Sequence, residues 1–199
     1  MKSNQEFKNL ALADLEGNWA KFAIATLLLF FISGGVGAAF DIFFYQGTSN
    51  LWSLLCLPLT WGYDVLFLRL IRKEHSNVER MFDGYKDFVR VFLLVLLKSI
   101  AVLIGFCLFI VPGIILALGF AMSDYILADD KEISSYDALK ESWSLMKSHK
   151  TQLFWLSLSF IGWIILSFLT LGIGFLFLCP YMETTLAHFY EELKTDSII

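Results

Sequence analysis

Residues 134–193 constrain the fold more than any other stretch of this chain. They read as an amphipathic helix, an apolar helix, a tight Thr170-Leu171-Gly172 turn, and a second apolar helix that ends in charges. A surface helix feeding an apolar hairpin is a membrane unit. Apolar runs near 20 residues are what a helix needs to cross a hydrocarbon core. The same unit recurs twice upstream, so the expected fold class is all-α. The expected architecture is a six-transmembrane-helix bundle built from three hairpins, at about 19–71, 88–128 and 153–190. An amphipathic interfacial helix precedes each hairpin, and the whole of 1–199 reads as one integral membrane domain.

Composition agrees. The chain is 57% hydrophobic and only 17% charged, with mean hydropathy +0.66, whereas soluble domains carry about 25% charged residues. The first run, Phe22–Ser33, reads as a retained helix. The segment before it is long and carries Glu6, Asp14 and Glu16, unlike a short basic leader. Cys56, Cys107 and Cys179 lie far apart inside apolar runs and form no CxxC pair. They read as small apolar residues rather than a metal or redox site.

Along the chain, Phe7, Leu10, Ala11, Leu15, Trp19 and Phe22 make a helical stripe. A first span, about 19–44, is interrupted by Gly34, Gly35 and Gly37, and turn chemistry follows at 46–50. The second span is 51–70. Ser76 with Glu79 predicts a capping box and a helix with Val78, Met81, Phe82, Tyr85 and Val89 on one face. The third span is 88–111, Pro112-Gly113 makes the turn, and the fourth is 113–128. Ser134 with Asp137 predicts a second cap, followed by the stripe Tyr136, Leu139, Trp143 and Met146. The fifth and sixth spans are 153–169 and 173–190. Each stripe fits either contact with lipid or packing on the bundle.

Charge sets the orientation. Of the 15 Lys and Arg, every one but Lys98 falls before span one, between spans two and three, between spans four and five, or after span six. By the positive-inside rule both termini face the cytoplasm of a cell membrane. The three prolines, Pro58, Pro112 and Pro180, fall one per hairpin, and each returning helix holds one carboxylate: Asp64, Asp124 or Glu183. That is the signature of a threefold internal repeat.

Specific patterns add to this reading. They are Leu15-Glu16-Gly17-Asn18-Trp19, Pro112-Gly113-Ile114, Tyr125-Ile126-Leu127-Ala128-Asp129, Met146-Lys147 with His149-Lys150, Phe160-Ile161-Gly162-Trp163, Thr170-Leu171-Gly172-Ile173-Gly174, Pro180-Tyr181 and Phe189-Tyr190-Glu191. Together they resemble a family of uncharacterised bacterial multi-pass membrane proteins, a domain of unknown function. The chain is also distantly similar to the membrane domain of some glycerophosphodiester phosphodiesterases. Their catalytic barrel has no counterpart here, so the resemblance carries over no activity, cofactor or site.

No nucleotide loop, zinc-ligand spacing or nucleophile elbow is present. The reading is therefore not an enzyme, with no cofactor, no metal and no nucleic-acid partner. The partners expected are the lipid bilayer and, at the cytoplasmic face near His149, Lys147 and Lys150, anionic headgroups. His188 reads as an interfacial belt residue. The informative residues are ions within the apolar runs, which cost about 2.5–3.5 kcal/mol each at a helix centre and so mark candidate sites. Lys98, Asp124 and Glu183 qualify, with Asp64 nearer the cytoplasm and Asp41 at the outer interface. Counted from Pro112, Lys98 and Asp124 reach nearly one depth and are expected to pair, and Glu183 could join them. The face of Gly113, Ala117 and Ala121 is expected to meet another helix. Two functions follow. One is a membrane scaffold, assembly or partner-binding module. The alternative is a small ion-coupled transporter using the buried charges. A lipid-modifying enzyme is least supported, because no nucleophile and base are grouped.

Overall fold

A computed structural model describes residues 1–43 and 48–198. Among them there are helices and no strands. The tip of the first hairpin, Gln46-Gly47, lies outside the described residues.

Helix α1 (Asn4–Leu15) starts at a capping box: the Ser3 hydroxyl accepts from the Glu6 amide, and the Glu6 carboxylate accepts from the Ser3 amide. Phe7, Ala11 and Leu15 are buried against the bundle, with Phe7 5.4 Å from the ring of Phe189, while Leu10 faces out. This stripe therefore packs on protein. Gly17, at φ +78°, turns the chain into α2 (Trp19–Phe30). The glycine interruption is absorbed as one π-helical turn, Phe31–Gly35, before α3 (Val36–Phe43). The Ile32 carbonyl there accepts from the Trp52 indole at 2.7 Å.

Helix α4 (Thr48–Leu55) breaks at Cys56 into α5 (Leu57–Ile71), with Pro58 in the first turn of α5, where a missing N–H costs nothing. Helix α5 is buried nearly all round and forms the centre of the bundle. Helix α6 (Phe88–Leu108) returns through α7 (Ile110–Gly119) and α8 (Ser123–Asp129). The turn between α6 and α7 is a single extended residue, Phe109, rather than Pro112-Gly113. Pro112 sits inside the first turn of α7. Gly105 and Gly113, each four residues from Phe109, let the two helices touch: a Cβ on Gly105 would lie 2.9 Å from the Gly113 Cα. The predicted small-residue face is thus right at Gly113. Ala117, however, is exposed and lines a shallow apolar groove with Phe106, Phe154 and Leu158.

The Ser134 cap forms, its hydroxyl accepting from the Asp137 amide at 3.1 Å, and starts α9 (Ser135–Leu145). The buried face of α9 is Ser135, Ala138, Leu139 and Ser142; Tyr136 points outward, and Trp143 packs part-exposed on Gly119. The Ser142 hydroxyl donates to the Gly119 carbonyl at 2.8 Å and accepts from the Met122 amide at 3.2 Å, bridging the break between α7 and α8. Helices α10 (Lys150–Leu158), α11 (Ile161–Leu169) and α12 (Phe175–Ile198) complete the fold.

The Ser76–Glu79 cap does not form. The Ser76 hydroxyl accepts from Lys21 Nζ at 3.1 Å, and Val78–Tyr85 is a 3₁₀ helix. Three residues per turn split the expected stripe. Met81 and Gly84 face α5, while Phe82 and Tyr85 face out and continue a stack through Phe88 to Phe92.

Five helices among the described residues are long and apolar enough to cross a membrane: Trp19–Ala39, Trp52–Ile71, Phe88–Leu108, Ile110–Asp129 and Lys150–Leu169. Helix α12, the expected sixth, is not among them. Its apolar stretch ends at Glu183, and Thr184, Thr185, His188 and Glu191 follow. The expected six-helix count thus stands at five among the described residues. In each unit the returning helix (α5, α8, α12) is the more buried, and the outgoing one (α2, α6, α10–α11) turns many large apolar side chains outward.

Candidate functional site

The burial of α5, α8 and α12 carries their carboxylates inward. Lys98 of α6 forms an ion pair with Asp124 Oδ2. The Asp124 side chain is 5% exposed and that of Lys98 26%. Asp124 Oδ1 is buried with no hydrogen-bond partner. The Asp124 backbone carbonyl accepts from the Trp61 indole at 3.1 Å, which fixes α8 on α5. The Tyr125 hydroxyl donates to Glu183 Oε2 at a long 3.5 Å. Asp64 feels the charges of Glu183, Asp124 and Lys98. Beside them the Tyr63 hydroxyl shares a 2.8 Å hydrogen bond with Thr26, whose hydroxyl is also 2.9 Å from the Phe22 carbonyl. The structure therefore brings together all four residues singled out in the sequence: Lys98, Asp124, Glu183 and Asp64. Asp41 lies apart from them in sequence, on α3, near the undescribed first tip.

Three carboxyl groups thus share one amine; Asp124 is buried, while Lys98, Asp64 and Glu183 are half-buried. Among the described residues no three His, Cys, Asp or Glu side chains are disposed to hold a metal ion. The pairing survives a misplaced turn. Counted from Phe109, Lys98 lies 11 residues before and Asp124 15 after, a mismatch of roughly 6 Å. The break at Phe120–Met122 and the lysine stem absorb it.

A second polar centre has no counterpart in the sequence reading. Arg72, the C-cap of α5, binds Asp129 through Nη1 at 2.5 Å and Nη2 at 2.9 Å, and Glu191 through Nε at 2.6 Å. Asp129 also accepts from the Tyr190 hydroxyl at 2.8 Å and Lys194 at 2.6 Å. The hydrogen bonds Arg72 donates to Asp129, and then to Glu191, push its guanidinium further above its already high range. Arg72 and Asp129 close the first two returning helices and Glu191 lies in the last part of the third, a recurrence that could have flagged them. Tyr125 stacks on Tyr190 at 5.3 Å and so links the two centres.

On the same face Arg90 donates to the carbonyls of Ile133 at 2.8 Å, Leu127 at 3.3 Å and Asp130, tying α6 to the end of α8. His188, read as a belt residue, instead meets Asp14 Oδ2 at 2.7 Å and joins α12 to α1. Lys150 lies 3.0 Å from the centre of the Trp143 ring, and Trp143 in turn lies on Gly119. His149 lines a pocket with Glu141 and Asp196. Lys140 and Lys147 remain exposed.

A family model described as "Protein of unknown function (DUF975)" matches residues 1–122 and 106–197. The chain belongs to this family. No curated protein and no solved structure matches it. For this DUF975 chain, membership agrees with the uncharacterised family read from the sequence and adds no reaction. With its apolar helices, the chain is a helical membrane protein.

Proposed function

We propose that this DUF975 protein is a non-enzymatic module of the cytoplasmic membrane: a scaffold, assembly factor or partner-binding bundle. Three hairpin units enter from the cytoplasmic side, with both termini there. The observation that supports this best is the Lys98–Asp124 pair, which is closed inside the bundle and clamps α6 to α8. A buried ion pair of this kind fixes helix register, a structural use of charge. The ions around Asp129 are likewise spent on one another. Among the side chains this face leaves exposed, beside acidic ones such as Glu132 and Glu141, are Lys140, Lys147, Tyr136 and Phe82, which suit anionic headgroups or an acidic protein surface. No cofactor, reaction or nucleic acid enters this reading. Its test is purification of the tagged protein from native membranes, with mass spectrometry of what accompanies it. A protein or anionic lipid should co-purify in fixed ratio and be lost in K140E/K147E. Recovery of the chain with neither would sink the reading.

One observation favours a second reading, a small ion-coupled transporter. Asp124 Oδ1 has no hydrogen-bond partner, and the Asp64 and Glu183 carboxyls also act on its lysine. Proteoliposomes that move protons or Na⁺ with the native chain, but not with Asp124→Asn, would replace the first reading with this one.

A further inference from the structure

The turn between α11 and α12 satisfies its own amides. From Phe160 to Met182 the only polar side chains apart from Tyr181, Trp163 and Cys179 are Ser167 and Thr170, and both are consumed internally. The Ser167 hydroxyl donates to the Trp163 carbonyl at 2.8 Å. The Thr170 hydroxyl donates to the Ser167 carbonyl at 3.0 Å and accepts from the Gly174 amide at 3.0 Å. Every backbone N–H from Thr170 to Leu178 has an acceptor within the turn, at 2.9–3.2 Å. The Leu171 and Gly172 bonds are the Schellman pair that closes many helices in any solvent. The capture of the Gly174 amide by Thr170 goes further and leaves no amide of the turn for solvent, as hydrocarbon requires.

The side chains around this sealed backbone are apolar and bare: Phe168 is 69% exposed, Leu169 76%, Leu171 95% and Ile173 63%. Leu171 adopts φ +53° and Gly172 φ +89°. A left-handed residue facing water is ordinarily Gly or Asn. A leucine there, almost fully exposed, fits only apolar surroundings. Length agrees. Phe175 lies 16 residues from Glu191, which pairs with Arg72 on the charged face. That is roughly 24 Å of helix, against about 30 Å of hydrocarbon.

We propose that the α11–α12 tip is seated among the acyl chains of the far leaflet rather than in the water beyond it. The occupant of this exposed surface is lipid hydrocarbon. This goes beyond the functional reading above and holds whether the protein is a scaffold or a transporter.

The test uses the full chain in vesicles of phosphatidylcholine and phosphatidylglycerol. Bimane is attached at Leu171→Cys or Ile173→Cys, with Lys140→Cys as the wet control, in a Cys56→Ala, Cys107→Ala, Cys179→Ala background. Doxyl-labelled acyl chains should quench the probe at 171 and 173 several-fold more than aqueous iodide does, and the order should reverse at 140. Iodide quenching at 171 equal to that at 140 would overturn the proposal. So would protection from both quenchers, since a second copy or another protein would then cover the tip. Leu171→Asn, in the native-cysteine chain, gives an independent sign. Asn suits a left-handed position, so a water-facing tip would keep or raise its thermal midpoint. A hydrocarbon-seated tip must lose folded yield.

Discussion

The ion pair inside the bundle makes an asymmetric prediction. Lys98→Met removes the ammonium and leaves the Asp124 carboxylate, 5% exposed, among Asp64 and Glu183. Orphaning one partner of a buried pair costs about 3–5 kcal/mol. Asp124→Asn leaves a lysine that is 26% exposed and still feels Asp64 and Glu183, so its loss should be smaller, about 1–3 kcal/mol. The double variant removes both charges and should recover part of the larger loss, with a coupling of about 1–3 kcal/mol. Unfolding in mixed micelles at pH 7, followed by circular dichroism, reads all four corners of the cycle. Additive losses, or a greater loss from Asp124→Asn than from Lys98→Met, would refute the reasoning.

Two other perturbations test the packing of the 3₁₀ segment. A Cβ at Gly62 would stand 1.9 Å from the Met81 carbonyl oxygen, and one at Gly84 2.3 Å from that of Pro58. Gly62→Ala and Gly84→Ala should each lower thermal stability in detergent by about 1–3 kcal/mol or more, since backbone cannot step aside, whereas Gly162→Ala, with nothing within 4 Å, should be neutral or gain up to about 1 kcal/mol. Burial alone would raise the Asp83 carboxyl, but hydrogen bonds from Lys86 and Arg69 outweigh it and hold the group below its usual range. Its contribution is thus present above the unfolded value of about 3.9 and is lost as pH falls through the lower folded value. Hydrogen exchange over 78–85 should rise on that acidification, and Asp83→Asn should reproduce the rise at neutral pH; unchanged protection in both would count against the anchoring role.

The sequence displays periodicity and charge, and both are legible wherever one of them dominates. The Ser134 cap can be read because Ser and Asp three apart have a short-range use that nothing else competes for. Ser76 and Glu79 carry a similar pattern, yet Lys21, 55 residues upstream, takes the serine. Long-range partners of this kind leave no local trace. The Val78–Tyr85 stripe departs from its helical period for a related reason. Gly62 and Gly84 admit the segment so close to α5 that three residues per turn fit.

The buried cluster is legible because an ion in an apolar run has few tolerable surroundings. Lys98 has to find a carboxylate from a neighbouring helix, and Asp124 is the one its own hairpin brings to that depth. That requirement holds wherever the hairpin turns, which is why moving the turn from Pro112 to Phe109 leaves the pair intact. The Asp129 centre lacks that leverage. Arg72, Asp129, Glu191 and Lys194 sit at helix ends among many other charges, where water satisfies any of them equally well. Only the convergence of α5, α8 and α12 selects these four. That convergence follows in turn from the inward pull of Trp61 on the Asp124 carbonyl and of Tyr125 on Tyr190. The three returning helices thus meet twice. At the charged face they meet through ions that saturate one another. In the bundle centre they meet through carboxylates of which one oxygen, Asp124 Oδ1, stays unsatisfied. If the central charges serve rigidity alone, combining Lys98→Met with Asp124→Asn should restore stability and take nothing else away. The same double variant, carried into the proteoliposome assay, therefore separates a register-fixing pair from a transport site.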